Sequence, residues 1–197
     1  MKTCATTLLV LWLLTTLRTY GQGTFIYDQQ ATNFLEGGGL ITDANQPIGQ
    51  SFTPSLSAVN FITLNLYDAR PSSAGGSVYV NLRSNSITGP ILGISDVITM
   101  AYNNGGEKTF LFPSDIPLMP GTMYFFQPIL LPGSDEWGTA ISQGYAGGTA
   151  FVNGVPVTGS HFWFREGIVV PKPSSASLIF LGTCMATWYS CRTRGRI

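Results

Sequence analysis

The chain has little of the chemistry that a catalytic, redox or zinc site requires. Its only cysteines, Cys4, Cys184 and Cys191, lie in apolar terminal stretches, so residues 22–169 contain none. That central segment can form no internal disulfide and must be held together by its hydrophobic core. Its one histidine, His161, cannot by itself supply the two or more His or Cys ligands that a zinc site takes.

Recognisable catalytic constellations are also missing from the sequence. A Ser-His-Asp triad would have to use His161, and no G-x-S-x-G motif accompanies it. The only adjacent acidic pair is Asp135 and Glu136, which would point to opposite faces of a strand or lie solvated in a loop. Two convergent carboxylates, as a glycosidase needs, are therefore not indicated. We expect a protein that is not an enzyme.

Basic residues are scarce in the central segment. Four of them, Arg70, Arg83, Lys108 and Arg165, face ten acidic residues, so its net charge is −6. Nucleic-acid binding depends on Lys and Arg contacts to phosphates, and this balance argues against it. The charge is ordinary for a soluble protein surface.

The central segment is 148 residues long, which is enough for one domain. It shows no 3.6-residue apolar period over three turns; short apolar runs alternate instead with Gly, Pro, Asn and Ser. The clearest run, residues 59–67, places Ile62, Leu64 and Leu66 on one face, and residues 77–83 place Val78, Val80 and Leu82 inward. Further strands are predicted at residues 25–27, 48–53, 91–100, 108–112, 123–131, 149–152 and 162–169. About eight to ten strands at this spacing predict an all-β fold, a jelly-roll-like antiparallel β-sandwich.

The N-terminus has the pattern of a secretory signal peptide. Lys2 precedes an apolar run at residues 5–17, and small residues follow it. We expect residues 1–21 to be a signal peptide cleaved by signal peptidase after Gly21. The protein is therefore expected to be exported.

The C-terminus has three parts. Pro171 and Pro173 bracket Lys172, residues 174–191 contain no Asp, Glu, Lys or Arg, and Arg192, Arg194 and Arg196 follow. As a helix the uncharged stretch would span roughly 27 Å, close to the hydrocarbon thickness of a bilayer. The arginines are typical of a cytoplasmic stop signal, so a single C-terminal transmembrane helix is predicted with the body outside the cell.

This order of parts resembles the PEP-CTERM sorting signal of bacterial surface proteins, in which a Pro-Glu-Pro tripeptide precedes a short helix and an Arg-rich end. The resemblance covers residues 170–197, and Lys172 stands where that family has Glu. It implies recognition by an exosortase-type sorting enzyme and processing at Val170, Pro171, Lys172 and Pro173. It also implies a membrane-anchored state before release to the cell surface or extracellular matrix. The alternative for this stretch is a plain C-terminal membrane anchor.

Residues 22–169 also resemble, at the level of fold, the β-sandwich ectodomains that precede PEP-CTERM signals and the carbohydrate-binding jelly rolls. The first hypothesis is a non-enzymatic surface protein associated with the cell envelope or exopolysaccharide matrix. The alternative is a carbohydrate-binding module with an aromatic glycan site, with or without the assistance of calcium; Trp137 and Tyr145, in a Gly-rich stretch, are its candidate aromatics.

Calcium is the one inorganic ligand that the sequence suggests. Asp28, Asp43 and Asp135 fall in or beside predicted loops, and carboxylate oxygens there are suitable ligands for a structural Ca²⁺. No D-x-D-x-D-G loop is present, and scattered surface acids are the alternative. No other cofactor is expected.

Overall fold

The computed structural model describes residues 23–70 and 74–171. These residues form strands and loops with one short 3-10 turn, Asp43–Asn45, and they include no α-helix. The strands are β1 Thr24–Ala31, β2 Phe34–Ile41, β3 Gly49–Phe52, β4 Ala58–Asp68, β5 Gly76–Ser84, β6 Ile91–Ile94, β7 Ile98–Met100, β8 Gly106–Pro117, β9 Tyr124–Leu130, β10 Trp137–Ser142, β11 Ala150–Val152, β12 Val155–Val157, β13 His161–Phe162 and β14 Phe164–Val170.

The strands form two antiparallel sheets of seven strands each. Sheet A has the order β1-β14-β4-β10-β13, with β2 paired to β10 and β8 paired to β4. Sheet B has the order β12-β11-β3-β9-β5-β6, with β7 paired to β5. Strand β1 therefore lies at an edge of sheet A, beside β14.

The core lies between the two sheets. Alternation along β4 directs Ile62, Leu64 and Leu66 into it, and all three are fully buried. Val78, Val80 and Leu82 of β5 join the same cluster from sheet B. These are the inward faces expected from the sequence, and the all-β sandwich is confirmed. Phe25–Val169 form one compact unit.

Three strands were not predicted from the sequence. Two of them, β2 and β10, contain glycines at positions where a side chain would collide with a neighbouring residue. Consecutive glycines are typical of loops, but Gly37, Gly38 and Gly39 lie in β2. A Cβ at Gly38 would lie 2.1 Å from the carbonyl oxygen of Thr139, and one at Gly39 would lie 2.9 Å from the Phe162 ring. These glycines allow β2 and β10 to approach closely, and this advantage outweighs their low strand propensity. The third strand that was not predicted is β12, which contains no glycine.

The terminal predictions fall mostly outside the described residues. The signal peptide, Lys172, Pro173, the proposed transmembrane stretch and the three terminal arginines all lie there. Within the part of the chain that is described, no helix is long and apolar enough to cross a membrane.

Candidate functional site

The outward side of sheet A carries a partly exposed aromatic pair. Alternation along β1 places Phe25 and Tyr27 on the same side of the strand. They are 41% and 49% exposed, their ring centroids are 6.3 Å apart, and their planes differ by 16°. Large aromatic side chains in a folded domain are usually more buried than this. The exposed pair is therefore the first feature of this surface that calls for a functional explanation.

Phe61 supports both rings from below. It projects from β4, is fully buried, and meets Phe25 and Tyr27 edge to face at centroid distances of 5.0 and 5.7 Å. Its partner across the β14–β4 ladder is Gly167, which has no side chain to separate Phe61 from the rings of β1. A Cβ at Gly167 would lie 2.0 Å from the carbonyl oxygen of Ile26. The glycine thus permits the close approach of β1 and β14 that positions the pair.

A fixed cation borders the aromatic pair. The guanidinium of Arg165 lies 4.7 Å from the ring centroid of Trp163 and 5.5 Å from that of Tyr27. Its Nη1 also lies 2.8 Å from Oε2 of Glu107. The Trp163 indole donates to the carbonyl oxygen of Thr32 at 3.2 Å, which fixes its orientation. We call Phe25, Tyr27, Phe61, Trp163 and Arg165 the aromatic face.

Polar and apolar groups alternate next to the aromatic face. The hydroxyls of Thr63 and Thr109 are 2.9 Å apart, and Leu111, opposite Phe61 in the ladder, is 43% exposed. A surface that combines partly exposed rings with a guanidinium and a carboxylate suits a ligand with both apolar patches and hydroxyl groups.

Beneath β1 lies a fully buried acid, Glu166. Its Oε1 accepts the backbone N–H of Gln29 at 3.1 Å, and no donor among the described residues reaches its Oε2. In its protonated form the carboxyl group hydrogen-bonds to the side chain of Asp28. Burial raises the pKa of Glu166 to about 8, and the negative charge of Asp28 adds to the rise. The side chain is therefore mostly protonated and neutral at pH 7.

Asp28 ties β1 to the segment between β3 and β4. Its Oδ2 accepts the N–H groups of Ser55 at 2.7 Å and Leu56 at 2.9 Å, and its Oδ1 accepts the Ser55 hydroxyl. Partial burial acts to raise the pKa of Asp28, but these hydrogen bonds from Leu56 and Ser55 outweigh it and lower the pKa. Asp28 is thus the ionised partner of the neutral Glu166.

Tyr145 closes the network from the segment between β10 and β11. Its hydroxyl donates to Oε1 of Gln29 at 3.3 Å and accepts the N–H of Thr53 at 3.4 Å. Burial raises the pKa of Tyr145 to about 12, so it stays a neutral phenol. Its ring packs edge to face on His161 at 5.8 Å, where burial lowers the histidine pKa. We call Asp28, Gln29, Tyr145 and Glu166 the acid network.

The two aromatic residues singled out from the sequence are not in the aromatic face. Trp137 begins β10 and is fully buried in the core, so its indole has no surface that a sugar could contact. The Gly-rich stretch around it was expected to be an exposed loop, but the pairing of β10 with both β2 and β4 places it in the centre of sheet A. Tyr145 packs against the core and hydrogen-bonds within the acid network.

The alternation Phe25-Ile26-Tyr27 was the available sequence signal for the exposed pair. It predicted a short strand, and an aromatic residue at both ends of that alternation places two rings on one face. No feature of the neighbouring sequence indicated whether this face of the strand points to solvent or to the core.

The three candidate calcium ligands lie in three different places. Asp28 is in β1, Asp43 is in the 3-10 turn, and Asp135 lies between β9 and β10, where it accepts the Gly75 N–H at 3.2 Å. Among the residues described, no group of three His, Cys, Asp or Glu side chains gathers in a metal-binding arrangement.

The acidic pair and the processing residues are placed as follows. Asp135 is 8% exposed, so it is not the solvated side chain that the sequence suggested, and Glu136 pairs with Arg70 at 3.0 Å. Val170 ends β14, and Pro171 is the last described residue.

Comparison with known proteins adds no family assignment. The chain matches no model of a known protein family and no curated protein sequence.

Proposed function

We propose that the chain is an exported, non-enzymatic β-sandwich protein of the cell surface that binds glycans of the envelope or exopolysaccharide matrix through its aromatic face. The observation that carries this proposal is the near-parallel pair of Phe25 and Tyr27, each more than 40% exposed, on the edge strand β1. We therefore propose that the glycan site lies at β1 and not at Trp137 and Tyr145, the two aromatic residues suggested by the sequence.

The chemistry of the aromatic face fits a sugar. Pyranose rings have an apolar side that packs against aromatic carbon, and hydroxyls around their rim that hydrogen-bond to polar groups. Arg165 and Glu107 offer a donor and an acceptor beside the rings, and their mutual pairing keeps the surface close to neutral. A neutral glycan chain is therefore the ligand class that we propose, and calcium is not required for this mode of binding.

A non-enzymatic role is supported by the placement of the unusual acid. Glu166 has the raised pKa that a general acid needs, but it is fully buried and has no surface that a substrate could reach. Its neighbours Gln29 and Tyr145 are engaged with one another. Such an arrangement favours a structural role for the carboxyl group.

The cellular location is proposed from the two termini. An N-terminal signal peptide and a PEP-CTERM-like tail together direct export, transient membrane anchoring and sorting by an exosortase-type enzyme. We also propose that the sandwich is of the jelly-roll type. In support, the chain crosses repeatedly between the sheets, since β3, β5 and β9 lie in sheet B while β4, β8 and β10 lie in sheet A.

The test is binding of the full-length chain to exopolysaccharide extracted from the cells that make it and to a panel of soluble neutral oligosaccharides. The double variant F25A/Y27A is compared with F34A/Y102A, in which one exposed Phe and one exposed Tyr are removed elsewhere. Each stacking ring contributes about 0.5–1.5 kcal/mol, so we expect an affinity loss of roughly twofold to thirteenfold for each ring in the first variant only.

Circular dichroism of both variants checks that the sandwich is retained. If both variants bind like the unmodified chain, or lose affinity equally, the aromatic face is not the glycan site.

A further inference from the structure

Two carboxyl groups, those of Glu166 and Asp28, lie where the edge strand β1 meets β14. Glu166 lies on β14 and Asp28 on β1. Glu166 accepts a hydrogen bond from the backbone N–H of Gln29 on β1 and, when protonated, hydrogen-bonds to the side chain of Asp28. Strand β1 is the last strand on this side of sheet A. Its attachment to β14 therefore includes a buried carboxyl group that meets a half-buried carboxyl group of β1.

Among residues 23–70 and 74–171, the charged and titratable groups around Glu166 offer it no compensating cation. From β1 it faces the ionised Asp28, and from the segment between β10 and β11 it faces the neutral phenol of Tyr145. Next to it on β14, Arg165 stacks on Tyr27 and Trp163 and pairs with Glu107 on the aromatic face. His161 contacts the ring of Tyr145, and burial favours its neutral form. A charge on Glu166 would therefore be buried beside a second negative charge.

We propose that Glu166 and Asp28 form a proton-controlled latch: β1 stays docked on β14 while Glu166 holds its proton, and loss of that proton loosens β1. The ionised carboxylate would have to reach water, and the groups of β1 that lie against it are the Gln29 N–H and the half-buried Asp28. The pKa of about 8 places the change just above neutral pH.

The latch has a consequence for the aromatic face. Phe25 and Tyr27 lie on β1, so their alignment over Phe61 depends on the docking of that strand. Glycan binding should therefore weaken as pH rises through this range. That consequence rests on the proposed function, whereas the loosening of β1 does not.

Hydrogen exchange of the full-length chain tests the latch. We expect the protection factors of the β1 amides, corrected for intrinsic exchange, to fall at least tenfold between pH 6.5 and 9.5, while those of the central strand β5 stay within about twofold. The variant E166Q, which keeps the size of the side chain and cannot ionise, should retain its β1 protection at both pH values. The control D96N removes an exposed acid between β6 and β7 and should behave like the unmodified chain.

An NMR titration of the unmodified chain gives a second test that needs no variant. The carboxyl carbon of Glu166, followed by NMR in the unmodified chain, should titrate with a midpoint near 8. A midpoint below 6, equal β1 protection at both pH values, or a parallel fall in E166Q would each overturn the latch. If β1 loosens as expected but no glycan binds at any pH, the latch stands and the proposed function fails.

Discussion

At the scale of single residues, the least expected feature is a fully buried glutamate without a cation. A buried carboxyl group without a counter-ion keeps its proton at neutral pH, because the carboxylate is much less stable in a medium of low polarity than in water. Burial and the negative charge of Asp28 favour the protonated form of Glu166, and together they outweigh the hydrogen bond accepted from the Gln29 N–H, which favours the ionised form. The sequence offered no sign of this, since Glu166 follows an arginine in an ordinary alternating strand.

The first prediction concerns the pH dependence of stability. The pKa of Glu166 is raised in the folded chain, so the folded state holds a proton that the unfolded state releases above its ordinary pKa of 4.5. The free energy of unfolding should therefore fall as pH rises from about 4.5 to about 8, by at most about 5 kcal/mol. Urea unfolding across that range measures it, and E166Q should show a flatter profile. Identical profiles for the two proteins would refute the assignment.

At the scale of elements, the junction of β1, β14 and β4 determines the candidate site. Phe61 points away from the core on β4, yet it is fully buried because the rings of β1 cover it. They can do so because Gly167 in the intervening strand has no side chain. One glycine thus allows close approach of two backbones and also opens the space through which three rings meet.

The second prediction follows from that glycine. G167A should destabilise the sandwich by about 2–3 kcal/mol, because its Cβ would lie 2.0 Å from the carbonyl oxygen of Ile26 and β1 would have to move. The control G133A places a Cβ in open space at a φ of +83°, so it reports the cost of the backbone conformation alone, about 1 kcal/mol. Thermal unfolding of both variants makes the comparison. An equal loss in the two would mean that the close approach of β1 and β14 contributes nothing.

At the scale of the whole molecule, the proposed function joins a binding surface to a route of export. The central segment carries ten acidic residues and few basic ones, while the tail concentrates its charge in three arginines. A glycan-binding body and a removable tail would together deliver the protein to the matrix it binds.

The third prediction concerns that tail. We expect the protein recovered from its native surface or medium to begin at Gln22 and to end near Pro171–Lys172–Pro173, because the tail resembles a processed sorting signal. Intact mass spectrometry measures both ends. A mass ending at Ile197 would favour the plain membrane anchor and remove the sorting argument, with the aromatic face unaffected.

Much of the fold could be predicted from local pattern, and two of the three missed strands, β2 and β10, were missed for the same reason. Strand β4 was expected at residues 59–67 and was found as Ala58–Asp68, because its period-two alternation is dictated by the pleat itself. Strands β2 and β10 were missed because their glycines resemble turn residues. Those glycines are explained by contacts with Thr139, Tyr67 and Phe162, which are distant in sequence.

The sequence by itself determined the class of fold, since alternation and turn residues are local properties. It also determined that the central segment has no internal disulfide, since its lack of cysteines is a property of composition. Only the tertiary structure decided which aromatic residues are buried and which are exposed. Trp137, in a Gly-rich stretch, lies in the core, while Phe25 and Tyr27 face outward. The physical reason is that exposure and pKa depend on which strands pack together, and that pairing joins residues more than a hundred positions apart, such as Gln29 and Glu166.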